Sequence, residues 1–482
     1  MDIDEIRRKR AIKVIITDII MTTAVIFVVG ILVAAVAGWR INEDFTVEQK
    51  GLLSVRSIPE NASVTIDGEL LHQTTNTTRM LSEGKHTIKL EKEGYESWEK
   101  DFEITPGWLV KLEYPRLFKK NRESEVIKEL KNIKSFYVSP DHTTAIYNTN
   151  DSTIFSVMTD FNSTPKTRDI NISGVFSGTD NGIFPYSINY IGWSRNSERI
   201  LLNVSNGQTN EWGIIDLRNT KESINLTTGQ FKLANNSETW FDMHEISQVR
   251  FEDGSNSRVI ASAKNNLVSI DLESKTVSDP VASNISNYFI NGLDLIYLNN
   301  ENIIELTRIN EQKATKVADL SDNSAKISLA LTRFNSMNYI LYMVDNKLYV
   351  YNGSILPTGE DDISNMTLVN EVETGIIPNE VTVSRNGELV IFRNDTKVLV
   401  YDTEVEKWHE YDYGDRATRF LDDFILYRFE SDSGKILAWD FDNTNYRTIV
   451  NNGGSKYDLI ISNNNRYLYY INDNSELIRE KL

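Results

Sequence analysis

The sequence predicts an all-β ectodomain in two parts behind one N-terminal transmembrane helix. Three observations predict it. A mostly apolar run from Val14 to Trp39 follows a basic N-terminus. Short alternating strands, broken by turn residues such as Asp67-Gly68, fill residues 52–113. From residue 126 onward a strand–turn–strand unit recurs about every 40–50 residues, the period of a β-propeller blade.

Composition narrows what such a chain does. Its 482 residues are 40% hydrophobic and 25% charged, as in globular proteins. The absence of cysteine excludes disulfide frameworks, Cys-ligated zinc, iron–sulfur clusters and Cys nucleophiles. His72, His86, His142, His244 and His409 are too far apart in sequence for a local metal motif, and no cofactor is expected. A formal charge of −18 speaks against nucleic acid, whose phosphates need clustered Lys and Arg. A eukaryotic ectodomain of this size would carry disulfides, so their absence points to a bacterial surface protein.

Taken in order, residues 1–13 form a cytoplasmic tail with Arg7, Arg8, Lys9, Arg10 and Lys13. Residues 14–39 form a signal anchor, since about 20 apolar residues cross a bilayer core. Asp18 lies near the basic end, within reach of headgroups or Lys13, and Trp39 and Arg40 border the far side. The basic flank places the N-terminus inside and the later domains outside. Ala35-Val-Ala37 would suit a signal peptidase. The run, however, exceeds the roughly 7–15 residues of a cleaved h-region and has no polar segment before that site. Gly30, Ala34 and Gly38 recur at i, i+4, i+8, a small-residue stripe that would allow two helices to dimerise, although Gly and Ala are common in such spans and dimerisation is the minor reading.

Residues 40–51 read as a polar stalk. Strands follow at Leu52–Ile58, Ser63–Ile66, Gly84–Glu91, around Trp98–Ile104 and at Trp108–Leu112. Pro59, Glu60, Asn61 and Ala62, the Asp67-Gly68 turn, Gly84, and Gly94-Tyr95 stand in the order of the PEGA domain, which residues 52–113 resemble. The departure is Asn61 where the family usually has Gly, and Asn is the best non-Gly occupant of a left-handed turn. The resemblance implies a small β-sandwich-like domain of bacterial surface proteins, with these residues at turn and core positions and no catalytic activity. Residues 114–125, with Arg116, Lys119, Lys120 and Arg122, read as a solvated linker rather than a lipid or wall-polymer contact.

The clearest repeats in residues 126–482 begin at Phe136, Tyr190, Val381 and Leu459, with weaker ones near Val249, Tyr288, Leu329 and Phe420. Ser139-Pro140-Asp141 and Trp193-Ser194 are similar to the Trp-Ser-Pro-Asp-Gly turn of TolB-like and WD40-like propellers. Eight starts imply eight blades, with seven as the alternative. Val126–Leu130 would supply the outer strand missing from the last copy and close the ring.

Two inserts share one propeller face and hold the candidate partner-binding residues: Phe176, Phe184 and Tyr186 in 174–187, and Trp240, Phe241 and His244 in 229–245. Aromatics there would stack on sugars or anchor a protein. The competing reading folds them back to cap the blade ends, and it is weighed ahead. A third insert, 353–365, lies on the opposite face, and its Glu360, Asp361 and Asp362 lack calcium-loop spacing. No nucleophile elbow, Walker A loop, H-E-x-x-H or dinucleotide fingerprint occurs in a suitable context. The expectation is therefore a non-enzymatic, membrane-anchored envelope scaffold that binds proteins. Recognition of wall or surface carbohydrate is the alternative, and a propeller hydrolase a remote one.

Overall fold

The computed structural model describes residues 3–36, 38–41, 47–233, 243–252, 255–309, 311, 313–320, 325–412 and 418–482. It divides into two compact units, Met1–Asn121 and Arg122–Leu482.

The first unit opens with a helix, Ile3–Val36. Within it Ile15–Ala34 has a mean hydropathy of 2.4, and no part of it is buried against the chain. Twenty residues at about 1.5 Å each match the ~30 Å hydrocarbon core of a bilayer. The stripe of small residues changes here. The helix ends at Val36, and Gly38 lies beyond it with φ +86°, its Cα shielded by Lys50. A Cβ at Gly38 would stand 2.3 Å from Lys50 O, so this glycine serves a tight junction and cannot extend a helical face with Gly30 and Ala34. The expected stalk is a short hairpin, Trp39–Ile41 against Val47–Gln49.

Two sheets then pack face to face. One orders Thr77–Leu81, Gly51–Val55 and Leu109–Leu112; the other orders Glu69–Thr74, Ser63–Ile66, Gly84–Glu91 and Trp98–Ile104. Apolar residues at alternate positions (Leu53, Val55; Val64, Ile66; Ile88, Leu90; Trp98, Phe102, Ile104) meet between them as one core. Asn61 takes φ 61°, and Asp67 and Gly68 take 52° and 83°, the two-residue turn that joins Ile66 to Glu69. The linker expectation fails for most of its length. Arg116, Leu117 and Phe118 are buried, Arg116 bridges to Ile58, and Lys120 N–H reaches Gly94 O. Apolar Leu117 and Phe118 complete the small domain's core, which is why this segment folds back.

Asp67 also clamps its sheet. Its Oδ1 accepts Thr87 N–H at 2.9 Å and its Oδ2 lies 2.7 Å from His86 Nδ1, while His86 Nε2 lies 2.9 Å from Ser82 O. The His86 bond and the Thr87 amide lower the Asp67 pKa. Burial pulls His86 down, but the Asp67 and Ser82 contacts outweigh it and raise the pKa above 6.5. The His86 contribution is therefore complete below pH 6.5 and fades as pH rises through its folded value; the Asp67 contribution is complete above 3.8 and fades in acid. Asp67 is half exposed, so the pair is worth at most about 1 kcal/mol. Stability of this domain should fall modestly as pH rises above 6.5 in denaturant titrations, and His86→Gln should flatten that slope.

In the second unit the described strands fall into eight sheets met in chain order, residues 133–171, 187–225, 246–277, 285–319, 327–373, 380–412, 419–450 and 460–481; they are antiparallel except that Lys232–Leu233 adds to the third as a parallel fifth strand. Seven of the expected repeat starts lie in the innermost strand of a separate sheet, and Leu459 directly precedes the eighth. The last sheet takes its outer strand from the start of the unit, Ser124–Glu129 pairing with Glu476–Lys481. That exchange closes the propeller and hides an edge that three strands alone would leave open.

The turns from inner to second strand show why a degraded repeat still folds. Ser139, Ser194, Ser384 and Ser462 are each buried and donate to Asp141, Asn196, Asn386 and Asn464 Oδ1. The same hydroxyls accept the N–H five residues on, of Thr144, Arg199, Leu389 and Tyr467, at 2.8–3.0 Å. The residue after each Asp or Asn (His142, Ser197, Gly387, Asn465) has positive φ. Ser and Asp/Asn at this spacing suffice without the full motif. These turns and the third-to-outer turns lie on one face, here the lower; second-to-third turns and blade connections form the upper face.

Candidate interaction surfaces

Phe176, Phe184 and Tyr186 are on the upper-face connection, as the sequence suggested, but they do not face a partner. Their exposures are 2%, 3% and 9%, and they pack with Phe155, Ile200 and Ile215 between the first two blades. The cause lies on another strand: Gly213 leaves a slot that a Cβ would fill, 2.6 Å from Phe176 Cζ. Ring centroids in the cluster are 5.5–6.1 Å apart, at angles of aromatic packing. The Tyr186 hydroxyl is 2.8 Å from Ser177 O and 3.0 Å from Glu211 Oε1. Burial raises the Glu211 pKa, but Asn225 Nδ2, the Ser177 N–H and the Tyr186 hydroxyl together hold the carboxylate below its usual value. These three aromatics cap blades. Trp240 and Phe241 lie outside the described residues, whereas His244 is exposed in the short turn Met243–Glu245.

The lower face holds two clefts. The first, about 390 Å³, is lined by His142, Asp160, Arg168, Asn196 and Glu198 among others. The second, about 560 Å³, lies between the fourth and fifth blades and lies in the range of ligand pockets. The 353–365 insert forms one wall, held by Thr315 Oγ1 on Glu360 O at 3.1 Å and by Lys313 Nζ on Asp361 Oδ1 at 2.7 Å. The Ser364 hydroxyl and, next, its N–H on Asp362 Oδ1 lower the Asp362 pKa. Asp361 and Asp362 are thus turned to separate partners. Arg308 pairs with Asp294 at 2.9 Å, whereas Arg333 is exposed, with no anionic partner among the described residues. Ile355, 70% exposed, stands at the rim.

A further group joins three inner strands and the third strand of the second sheet, Asn210–Asp216. Tyr190 and Trp212 rings are 5.8 Å apart, and the Arg250 guanidinium lies 6.0 Å from the Tyr288 ring centre. Trp212 Nε1 and Tyr288 OH are buried without hydrogen-bond partners among the described residues. Burial pushes Tyr288 up to about 12. Sequence reading had placed Tyr190 and Tyr288 only as repeat starts. Aromatics at inner-strand positions did not single them out, since Phe136 and Phe420 start other copies.

Residues 50–117 match the family model of the PEGA domain. The chain thus carries a PEGA domain behind an apolar helix that fits a membrane anchor, and ahead of a β-propeller. No curated protein sequence matches it. Among solved structures, the computationally designed Ika8 protein is similar at 11% identity and TM-score 0.43, covering 74% of this chain and 99% of that one. The Cps50 (Swd1) β-propeller domain of Myceliophteria thermophila gives 10% and 0.40, covering 66% and 99%. Kluyvelomyces marxianus Hsv2 gives 12% and 0.39, covering 66% and 97%. At these scores the propeller assignment rests on the strand order itself.

Proposed function

We propose that this protein is a non-catalytic, membrane-anchored interaction module of a bacterial cell envelope, with its PEGA domain and propeller on the extracytoplasmic side. The observation that carries the reading is the order of parts: an uncovered apolar helix of membrane-spanning length, then a PEGA domain, then a rigid closed ring. A ring of short turns displays loops without deforming, and binding residues concentrate on such loops. Within the ring the lower face supports protein docking best. It combines a cleft, an exposed guanidinium at Arg333 and an exposed Ile355, the mixture of apolar anchor and charge that interfaces use. Partner capture from solubilised membranes should drop at least about tenfold in Ile355→Asp and in Arg333→Glu, a loss of about 1.4 kcal/mol or more. Unchanged capture in both would remove the lower face from the account.

A second reading, recognition of wall or surface carbohydrate, is favoured by the Tyr190–Trp212–Arg250–Tyr288 group. The Tyr190 ring, 40% exposed, offers a flat apolar face on which a sugar ring can stack. Co-sedimentation with purified sacculi that is lost in Tyr190→Ala would put this reading first.

A further inference from the structure

The small domain presents an exposed apolar tip beside the end of the apolar helix. Gly38 O accepts Lys50 N–H at 2.9 Å, Lys50 O accepts Gly107 N–H at 3.1 Å, and Trp108 O accepts Leu52 N–H at 2.9 Å. Strands Gly51–Val55 and Leu109–Leu112 start together at this ladder and run parallel away from it, Leu52 opposite Leu109. Hydrogen-bonded strands lie about 4.8 Å apart, so the Trp108 backbone stands roughly 10 Å from Gly38. Gly38 itself is only four residues past Ala34, where the apolar span ends.

The close fit of this corner is specified. A Cβ on Gly51 would meet Thr105 O at 2.7 Å and Ile104 Cγ2 at 2.6 Å, so glycine lets the 105–108 turn sit directly against the first strand. What the turn then projects is apolar: Trp108 is 69% exposed and Leu109 45%, and Trp39, just past the helix, is 44% exposed. Elsewhere in this domain the aromatic rings Trp98 and Phe102 are buried. A Trp held in water at a turn tip leaves much of its ring surface, of order 150–250 Å² on burial, without apolar cover. The polar layer of a bilayer, roughly 5–8 Å deep on each side of the core, is the environment that tryptophan prefers.

We propose that Trp108 and Leu109 form an interfacial foot that seats the PEGA domain on the leaflet from which the helix emerges. The occupant of this patch is the headgroup–acyl boundary of that same bilayer. The inference rests on the anchor reading above and adds a second, folded contact with lipid. The domain is thereby held at a fixed height instead of swinging on its short connection.

The chain has no cysteine, so single-cysteine variants of the full-length protein can be labelled uniquely. Nitroxides would be placed at Trp108→Cys, at Leu109→Cys, at Ile26→Cys within the span, and at Glu93→Cys. Glu93 is exposed at the far end of the Gly84–Glu91 strand. After reconstitution into phosphatidylcholine/phosphatidylglycerol nanodiscs, collision rates with oxygen and with a nickel chelate report depth. The ratio of oxygen to nickel collisions at 108 and 109 should lie several-fold above that at 93 and below the mid-span value at 26. A lipid-like ratio at 26 with water-like ratios at 108 and 109 would overturn the foot and leave the anchor standing. A water-like ratio at 26 would overturn both.

Discussion

Phe176→Ala is expected to destabilise the propeller by about 3–5 kcal/mol, the range for truncating a buried Phe. The ring is 2% exposed and fills the slot above Gly213, in contact with Phe184 and Tyr186. Small side chains cannot collapse into that gap, because the sheets on either side are fixed by their own ladders. The measurement is urea unfolding of the detergent-solubilised chain followed by near-ultraviolet circular dichroism. Partner capture by the fraction that remains folded should be unchanged. A variant of full stability that loses binding would restore Phe176 as a contact residue.

Arg122→Ala is expected to cost a similar amount, about 3–5 kcal/mol, the range for breaking a buried ion pair. Arg122 Nε donates to Glu480 Oε2 at 2.9 Å, and its Nη2 donates to Ile449 O at 2.7 Å. The two side chains are 7% and 11% exposed. Tyr470 OH donates to the other Glu480 oxygen at 3.0 Å. Removal of the guanidinium leaves a buried carboxylate with one hydroxyl partner, in the sheet where the two ends of the unit meet. Removing both charges should be milder than removing one. Arg122→Met combined with Glu480→Leu should recover more than half of the single-variant loss in the same unfolding assay. Additive losses would show that the pair is not coupled and that closure depends on the backbone ladder alone.

These two residues mark where sequence reading ran out. The repeat was legible because strand alternation and the Ser-x-Asp/Asn turn are local, each completed within about six residues. Ring closure was legible too, since Val126–Leu130 keeps an apolar pattern before the first copy while the last copy is short of one strand. Asn61 could be placed at positive φ because few other side chains tolerate it. The orientation of Phe176, by contrast, depends on Gly213 in a neighbouring strand. Arg122 looked like part of a solvent-facing basic patch because its partner Glu480 stands at the other end of the unit. Gly38 fitted a helical stripe by spacing alone, and only Lys50 O above it shows that the helix has already ended. Trp108 was placed inside a strand. Its position directly behind Pro106-Gly107 was the available signal for a turn tip.

The central claim, an anchored protein whose propeller stands outside the membrane, is tested most directly by labelling a cysteine introduced at Ile355 in intact cells expressing the full chain. A membrane-impermeant maleimide should modify Ile355→Cys without permeabilisation, while Glu5→Cys, in the tail, should react only after the membrane is opened. Labelling of the tail in intact cells, with the propeller protected until permeabilisation, would contradict the account.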